Sequence, residues 1–143
     1  SYQQVKGHSL TLRTDGASRG NPGPAGIGAV IESDGTGLKV ELCAYIGETT
    51  NNVAEYRALL LALEEAEKHS PASITVRSDS ELLVRQLNGL YKVKSPHLKP
   101  LYLDAVRRLR RFPEARILHV GREENTEADL LANRAIDAHF KKV

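Results

Sequence analysis

The sequence predicts an α/β fold, a mixed five-stranded sheet flanked by helices, and three observations carry that expectation. His8 to Thr14 alternates apolar and polar residues, and two further strand-like stretches follow it between Gly-rich turns. From about Val53 the apolar period changes to that of a helix. Beyond it, short β-branched stretches alternate with helical ones, the pattern of strands joined by crossover helices.

His8 to Thr14 (HSLTLRT) reads as the first strand, running into the turn Gly20-Asn21-Pro22-Gly23-Pro24, where no helix can begin. Ala25 to Glu32 (AGIGAVIE) is the second. Asp34-Gly35-Thr36-Gly37 reads as a hairpin turn into a third strand, Leu38 to Ile46. Short turns between consecutive strands imply an antiparallel meander. Val53, Tyr56, Leu59, Leu60, Leu63 and Ala66 then form one helical stripe between Val53 and Lys68. Ser73 to Arg77 is a fourth strand, and Ser80 to Leu87 a helix ended by Asn88-Gly89. Leu101 to Arg111 is helical, Ala115 to Val120 a fifth strand, and Asn125 to Lys142 a last helix with Leu130, Leu131, Ala135, Ile136 and Phe140 along one side. The last two strands need helical crossovers, so they are expected parallel to the first, with right-handed connections.

Residues 1–143 suit one domain, with 1–8 read as a flexible or added N-terminus. No apolar run approaches the roughly 20 residues of a membrane span, and Ser1–Ser9 lacks the apolar region of a secretory signal. The lone Cys43 cannot form an internal disulfide and is expected to be a small buried hydrophobe in a reducing, cytoplasmic compartment. The chain contains no methionine, so either an initiator has been removed or it is part of something longer. A monomer is the expected state. A net charge of +2 does not announce a polyanion partner. Its distribution is more telling: Lys92, Lys94, Lys99, Arg107, Arg108, Arg110 and Arg111 crowd one stretch against Asp104 and Glu114, as a solvated helix face or as a phosphate contact.

Four acids fall at element boundaries. Asp15 is expected just after the first strand, Asp79 just after the fourth, Glu55 in the first turn of the first helix and Asp129 in the first turn of the last. Groups at the carboxyl ends of parallel strands share one crevice. Each acid alone has a local explanation: Asn52 with Glu55 and Thr126 with Asp129 have capping-box spacing, Asp79 fits a helix cap and Asp15 an Asx turn. Together they point to a carboxylate cluster, which needs compensating cations. Oxygen ligands suit Mg²⁺ or Mn²⁺. Two such ions, roughly 3.5–4 Å apart, support displacement at phosphorus. No Walker loop, cysteine-histidine zinc site or serine-histidine pair competes with that chemistry.

The string TDGASRGNPGPAG, Thr14 to Gly26, resembles the opening motif of ribonuclease H type 1. TTNNVAE (Thr49 to Glu55), SDS (Ser78 to Ser80) and NTEAD (Asn125 to Asp129) resemble its later motifs, in the right order. The likeness runs from about Leu10 to Ile136. It implies the ribonuclease H-like fold and two Mg²⁺ or Mn²⁺ ions held by Asp15, Glu55, Asp79 and Asp129. It also implies cleavage of the RNA strand of an RNA–DNA hybrid, leaving 3′-hydroxyl and 5′-phosphate ends. By the same resemblance Glu55, Asn21 and Asn52 meet RNA, where the 2′-hydroxyl separates RNA from DNA. Thr50 and Asn51 lie near backbone phosphate or sugar, and Gly16 and Ser80 contact substrate.

Two departures stand out. The loop Gly121-Arg122-Glu123-Glu124 lacks the histidine of many bacterial members, leaving Arg122 as a phosphate contact and His119 as a structural strand residue. Leu90 to Lys99 (LYKVKSPHLK) replaces a long basic protrusion, so Lys92, Lys94 and Lys99 are expected to supply part of its phosphate contact. Forms of this kind also raise duplex RNA as a substrate. The competing readings are a DNA-acting nuclease of the same fold and a catalytically silent nucleic-acid-binding module.

Overall fold

The computed structural model describes residues 7–33 and 35–141. Asp34 of the hairpin turn, Lys142 of the last helix and most of the 1–8 segment lie outside the described residues. In chain order the elements are β1 (Ser9–Ser18), β2 (Gly23–Ser33), β3 (Lys39–Thr49), α1 (Asn51–Glu67), β4 (Ser73–Ser78), α2 (Glu81–Leu87), α3 (Lys99–Leu109), β5 (Glu114–His119), a 3-10 turn (Arg122–Glu124) and α4 (Thr126–Phe140).

The first three strands form the predicted meander, with β1–β2 and β2–β3 antiparallel. β4 and β5 join through helices and run parallel to β1, giving the order β3-β2-β1-β4-β5. One boundary differs in a way that matters. β1 does not stop at Thr14. Its parallel pairing with β4 ends at Thr14↔Ser78, but its antiparallel pairing with β2 continues to Ser18↔Ala25. Asp15 therefore lies inside a strand, at the point where one of its two neighbours has run out.

The sheet buries both faces. On one, Leu10, Leu12, Ala29, Ile31, Ile74 and Val76 pack with Tyr56, Leu59, Leu63 and Ala66 of α1. The buried Tyr56 hydroxyl donates to Gln86 Oε1 at 2.6 Å, tying α1 to α2 without leaving either polar group unpaired. On the other face α4 lies on β2 in near backbone contact. A Cβ at Gly28 would collide with the carbonyl oxygen of Ala128 and sit 2.8 Å from the Ala132 nitrogen. A glycine there lets α4, and with it Asp129, approach the sheet.

Three expectations fail here for geometric reasons. Leu130 is 68% exposed because it is turned off the buried stripe of Ala128, Leu131, Ala132, Ala135 and Ile136. Phe140 is 56% exposed, edge-on to Tyr45 rather than interior. Cys43 is also exposed, because strand alternation turns it away from Leu42 and Ala44, which pack inward. His119 ends β5 as an exposed side chain with no part in the interior. No helix of the described residues is long and apolar enough to cross a membrane.

Candidate active site

Asp15, 5% exposed, pairs across the sheet with Gly28, placing it on the α4 side. Glu55 arrives from α1 on the opposite face. Its approach depends on Gly16, where a Cβ would collide with the Ala54 backbone and come within 2.5 Å of the Glu55 nitrogen. The Gly16 N–H donates to Glu55 Oε1 at 3.0 Å, fastening that carboxylate to β1. Asp79 directly follows β4. Asp15, Glu55 and Asp79 each offer an oxygen, all within 4.8 Å of one another. Asp129, in the first turn of α4, lies outside that tight group but lines the same pocket, and its carboxyl is close enough to Asp15 to share a hydrogen bond. The pocket holds about 600 Å³.

The four local explanations give way to other contacts. Thr50, not Asn52, caps α1, its hydroxyl accepting from the Val53 N–H at 3.3 Å. Ser80, not Asp79, caps α2 by accepting from the Leu83 N–H at 3.3 Å. Asn125 precedes α4 without a side-chain capping bond, so Thr126 and Asp129 form no capping box. Asp15 sits in a strand rather than an Asx turn. Each acid is left to face the pocket.

The electrostatics follow from that crowding. Burial, then the Glu55 charge, then contact with Asp129 push the Asp15 carboxyl up to about 10. Burial, then the Asp79 charge, push Glu55 up to about 8, against the opposing pull of the Gly16 N–H. Protons stand in for cations at both positions. An all-oxygen donor set crowded by like charge fits a hard divalent ion, which would replace those protons. Both shifts are upward, so between pH 3.8, the ordinary Asp value, and about 10 the folded chain holds more protons than the unfolded one. Metal-free stability therefore falls as pH rises through that window. The gain in Tm from Mg²⁺ or Mn²⁺ over chelator should grow from about pH 6 to about pH 9. A gain independent of pH in thermal melts would exclude these acids as the binding group.

Asn51 and Arg122 line the pocket with the acids and Gly16. Asn21 Oδ1 accepts from the Asn51 N–H at 3.0 Å, which places the β1–β2 turn against the start of α1. Asn52 is exposed on the first turn of α1 and is not part of the pocket wall. Thr50 and Ser80 are caps, and neither lines the pocket. Lys92, Lys94 and Lys99 are exposed and outside it as well; Lys92 and Lys99 border a separate cleft of about 480 Å³ with Tyr91 and Tyr102. The arginines of α3 and of the turn after it pair with acids, Arg107 and Arg108 with Asp104, Arg108 and Arg111 with Glu67, as a solvated face would. Ser18 and Glu123 line the pocket although nothing in the sequence marks them individually, and Thr126, marked only as a possible cap, lines it too. Asn125, 1% exposed, donates from Nδ2 to the Thr14 carbonyl at 2.8 Å and so pins the start of α4 beside Asp15. Its signal was its place at the head of NTEAD.

A family model described as reverse transcriptase-like matches residues 13–135. The chain is 45% identical over 135 residues to ribonuclease HI of Halobacterium salinarum, covering 94% of this chain and 68% of that protein. The chain belongs to the ribonuclease HI family. The solved structure of the Halobacterium ribonuclease H1 matches with a TM-score of 0.85 at 44% identity, over 91% of this chain and 98% of that one. The structure of LC11-RNase H1 in complex with an RNA/DNA hybrid matches with a TM-score of 0.86 at 46% identity, over 92% and 99%. A bifunctional protein of Mycobacterium tuberculosis is 45% identical over 90% of this chain, which spans only 36% of that protein. The ribonuclease HI fold is thus shared across the sheet order and the flanking helices described above.

Proposed function

We propose that this ribonuclease HI-family chain is an endonuclease that hydrolyses the RNA strand of RNA–DNA hybrids, leaving 3′-hydroxyl and 5′-phosphate ends. The observation that carries the reading is the meeting of Asp15, Glu55 and Asp79 oxygens within 4.8 Å, with Asp129 in the same pocket. These four acids would hold two Mg²⁺ or Mn²⁺ ions. When bound, such ions polarise a phosphoryl oxygen and lower the pKa of water. Asp15 and Glu55 release their protons as the ligand set forms. The Gly16 N–H keeps Glu55 oriented toward the pocket. Asn51, Gly16 and Arg122 line its wall, where they would meet the sugar-phosphate backbone; Asn21, tethered to Asn51, and the exposed Asn52 would meet the ribose from beyond that wall. Thr50 and Ser80 act mainly by fixing the helix starts that present these groups.

Residues 1–143 are read as one nuclease domain, monomeric and housed in a reducing cytoplasm; the lone thiol of Cys43, exposed rather than buried, is compatible with that compartment. The similar LC11-RNase H1 was solved with an RNA/DNA hybrid, which supports the same substrate here. Retention of all four acids favours turnover over silent binding. The test offers labelled hybrid, duplex RNA, single-stranded RNA and duplex DNA with Mg²⁺, Mn²⁺ or chelator. Cleavage confined to RNA, hybrid first, supports the reading; cleavage of DNA, or binding without cleavage, overturns it.

Lys92, Lys94 and Lys99 are proposed to hold phosphates flanking the cut. Neutralising all three should raise the Michaelis constant and flatten its salt dependence by roughly 0.9 per lost phosphate contact. Steady-state kinetics across a salt series check this, and an unchanged slope removes the lysines from the interface.

A further inference from the structure

The turn between β1 and β2 is held from two sides. Asn21 joins it to α1. On the other side the Arg19 guanidinium pairs with Asp137 Oδ1 at 2.8 Å and donates to Asn133 Oδ1 at 3.3 Å. Asn133, one turn after Asp129 on α4, donates from Nδ2 to the Asp129 carbonyl at 3.1 Å and to its Oδ1 at 3.3 Å. A guanidinium can only donate, and a carboxylate can only accept. Arg19 therefore takes the oxygen of the Asn133 amide and leaves its NH₂ for Asp129. With Arg19 gone, the amide could rotate and present oxygen to oxygen. Apart from the hydrogen bond shared with Asp15, Asn133 is the one side chain among the described residues that donates to Asp129. Asp129 itself is exposed and sits outside the tight group of three carboxylates, so its direction depends on such a donor more than theirs do.

We propose that Asn133 is a positioning residue for Asp129, and that Arg19 sets the orientation of its amide. The fourth acid is then aimed by the same turn that carries Asn21, which links the metal side of the pocket to its ribose side. The inference rests on the metal-dependent reading given above. A bare i−4 bond within a helix would have no reason to depend on residue 19.

Mn²⁺ titration calorimetry on the free chain, with hybrid cleavage measured alongside, tests this. Asn133→Ala should weaken Mn²⁺ binding about fivefold, the worth of one ordinary hydrogen bond. It should lower kcat by a similar factor and leave KM and Tm unchanged, since Ala is a strong helix former on this partly exposed helix face. Arg19→Ala should act in the same direction but less, and the double variant should be no weaker than Asn133→Ala alone. Asn133→Gln, whose amide still reaches a residue four earlier, should restore Mn²⁺ affinity. Additive losses from the two single variants would overturn the coupling, and Asn133→Ala binding Mn²⁺ like the parent would overturn the positioning role. If the parent binds Mn²⁺ and cuts hybrid while Asn133→Ala matches it, only this inference falls. If the parent binds no Mn²⁺, the metal reading falls with it.

Discussion

Asp15→Asn is expected to abolish hybrid cleavage and at the same time to raise the melting temperature of the metal-free chain. The two effects have one cause. Asp15 is 5% exposed, and its neighbours Glu55, Asp79 and Asp129 push it toward protonation, up to about 10. Folding near neutral pH must therefore take up a proton against an unfolded value near 3.8, which costs a few kcal/mol. Asparagine has almost the same volume and needs no proton. Removing the charge also removes one anionic ligand, and losing the charge stabilisation that a held ion supplies should lower turnover about a thousandfold or more. Single-turnover cleavage and thermal melts in chelator read the two effects separately. Turnover within a factor of ten of the parent, about 1.4 kcal/mol, would remove Asp15 from the ligand set, and a lower metal-free Tm would mean that its charge is compensated in the fold.

Gly16→Ala should be strongly damaging for a change of one methyl group. The added Cβ meets backbone, not a movable side chain: the Ala54 carbonyl group and, at 2.5 Å, the Glu55 nitrogen. Overpacking of this kind costs about 3 kcal/mol where the neighbour cannot yield. If α1 does yield, the Gly16 N–H to Glu55 bond, 3.0 Å in the native chain, opens and the carboxylate leaves the pocket. Either way cleavage falls, through instability or through loss of Glu55. Urea unfolding and kcat together distinguish the routes. A variant with parental stability and parental kcat would mean that α1 does not rest on β1 as described.

Much of the site was legible because its chemistry resides in residue type. Four acids, an Asn-rich helix start and the absence of zinc or nucleophile motifs narrow the chemistry without any geometry. What misled was local plausibility. Asn52 and Glu55 have the spacing of a capping box, yet Thr50 caps the helix and Glu55 bonds to Gly16, 39 residues away. Thr14 looks like a strand end because Asp15 before Gly16 fits an Asx turn, but β2 offers pairing partners through Ser18. Cys43 has the character of an interior residue, yet it lies on an edge strand with its side chain turned away from the core that Leu42 and Ala44 join, and it is exposed.

Periodicity, turn residues and residue chemistry by themselves determined the element order, the meander with its two parallel additions, and the four acids. These are properties of neighbours in the chain, and a side-chain period needs no distant partner to be read. Only tertiary structure decided that Asp15 lies within β1, that Gly16 and Gly28 admit the helices which deliver Glu55 and Asp129, and that Arg19 reaches Asn133 across 114 positions of sequence. Those outcomes depend on how closely separate backbones can approach, a steric quantity settled between elements and written in no local pattern.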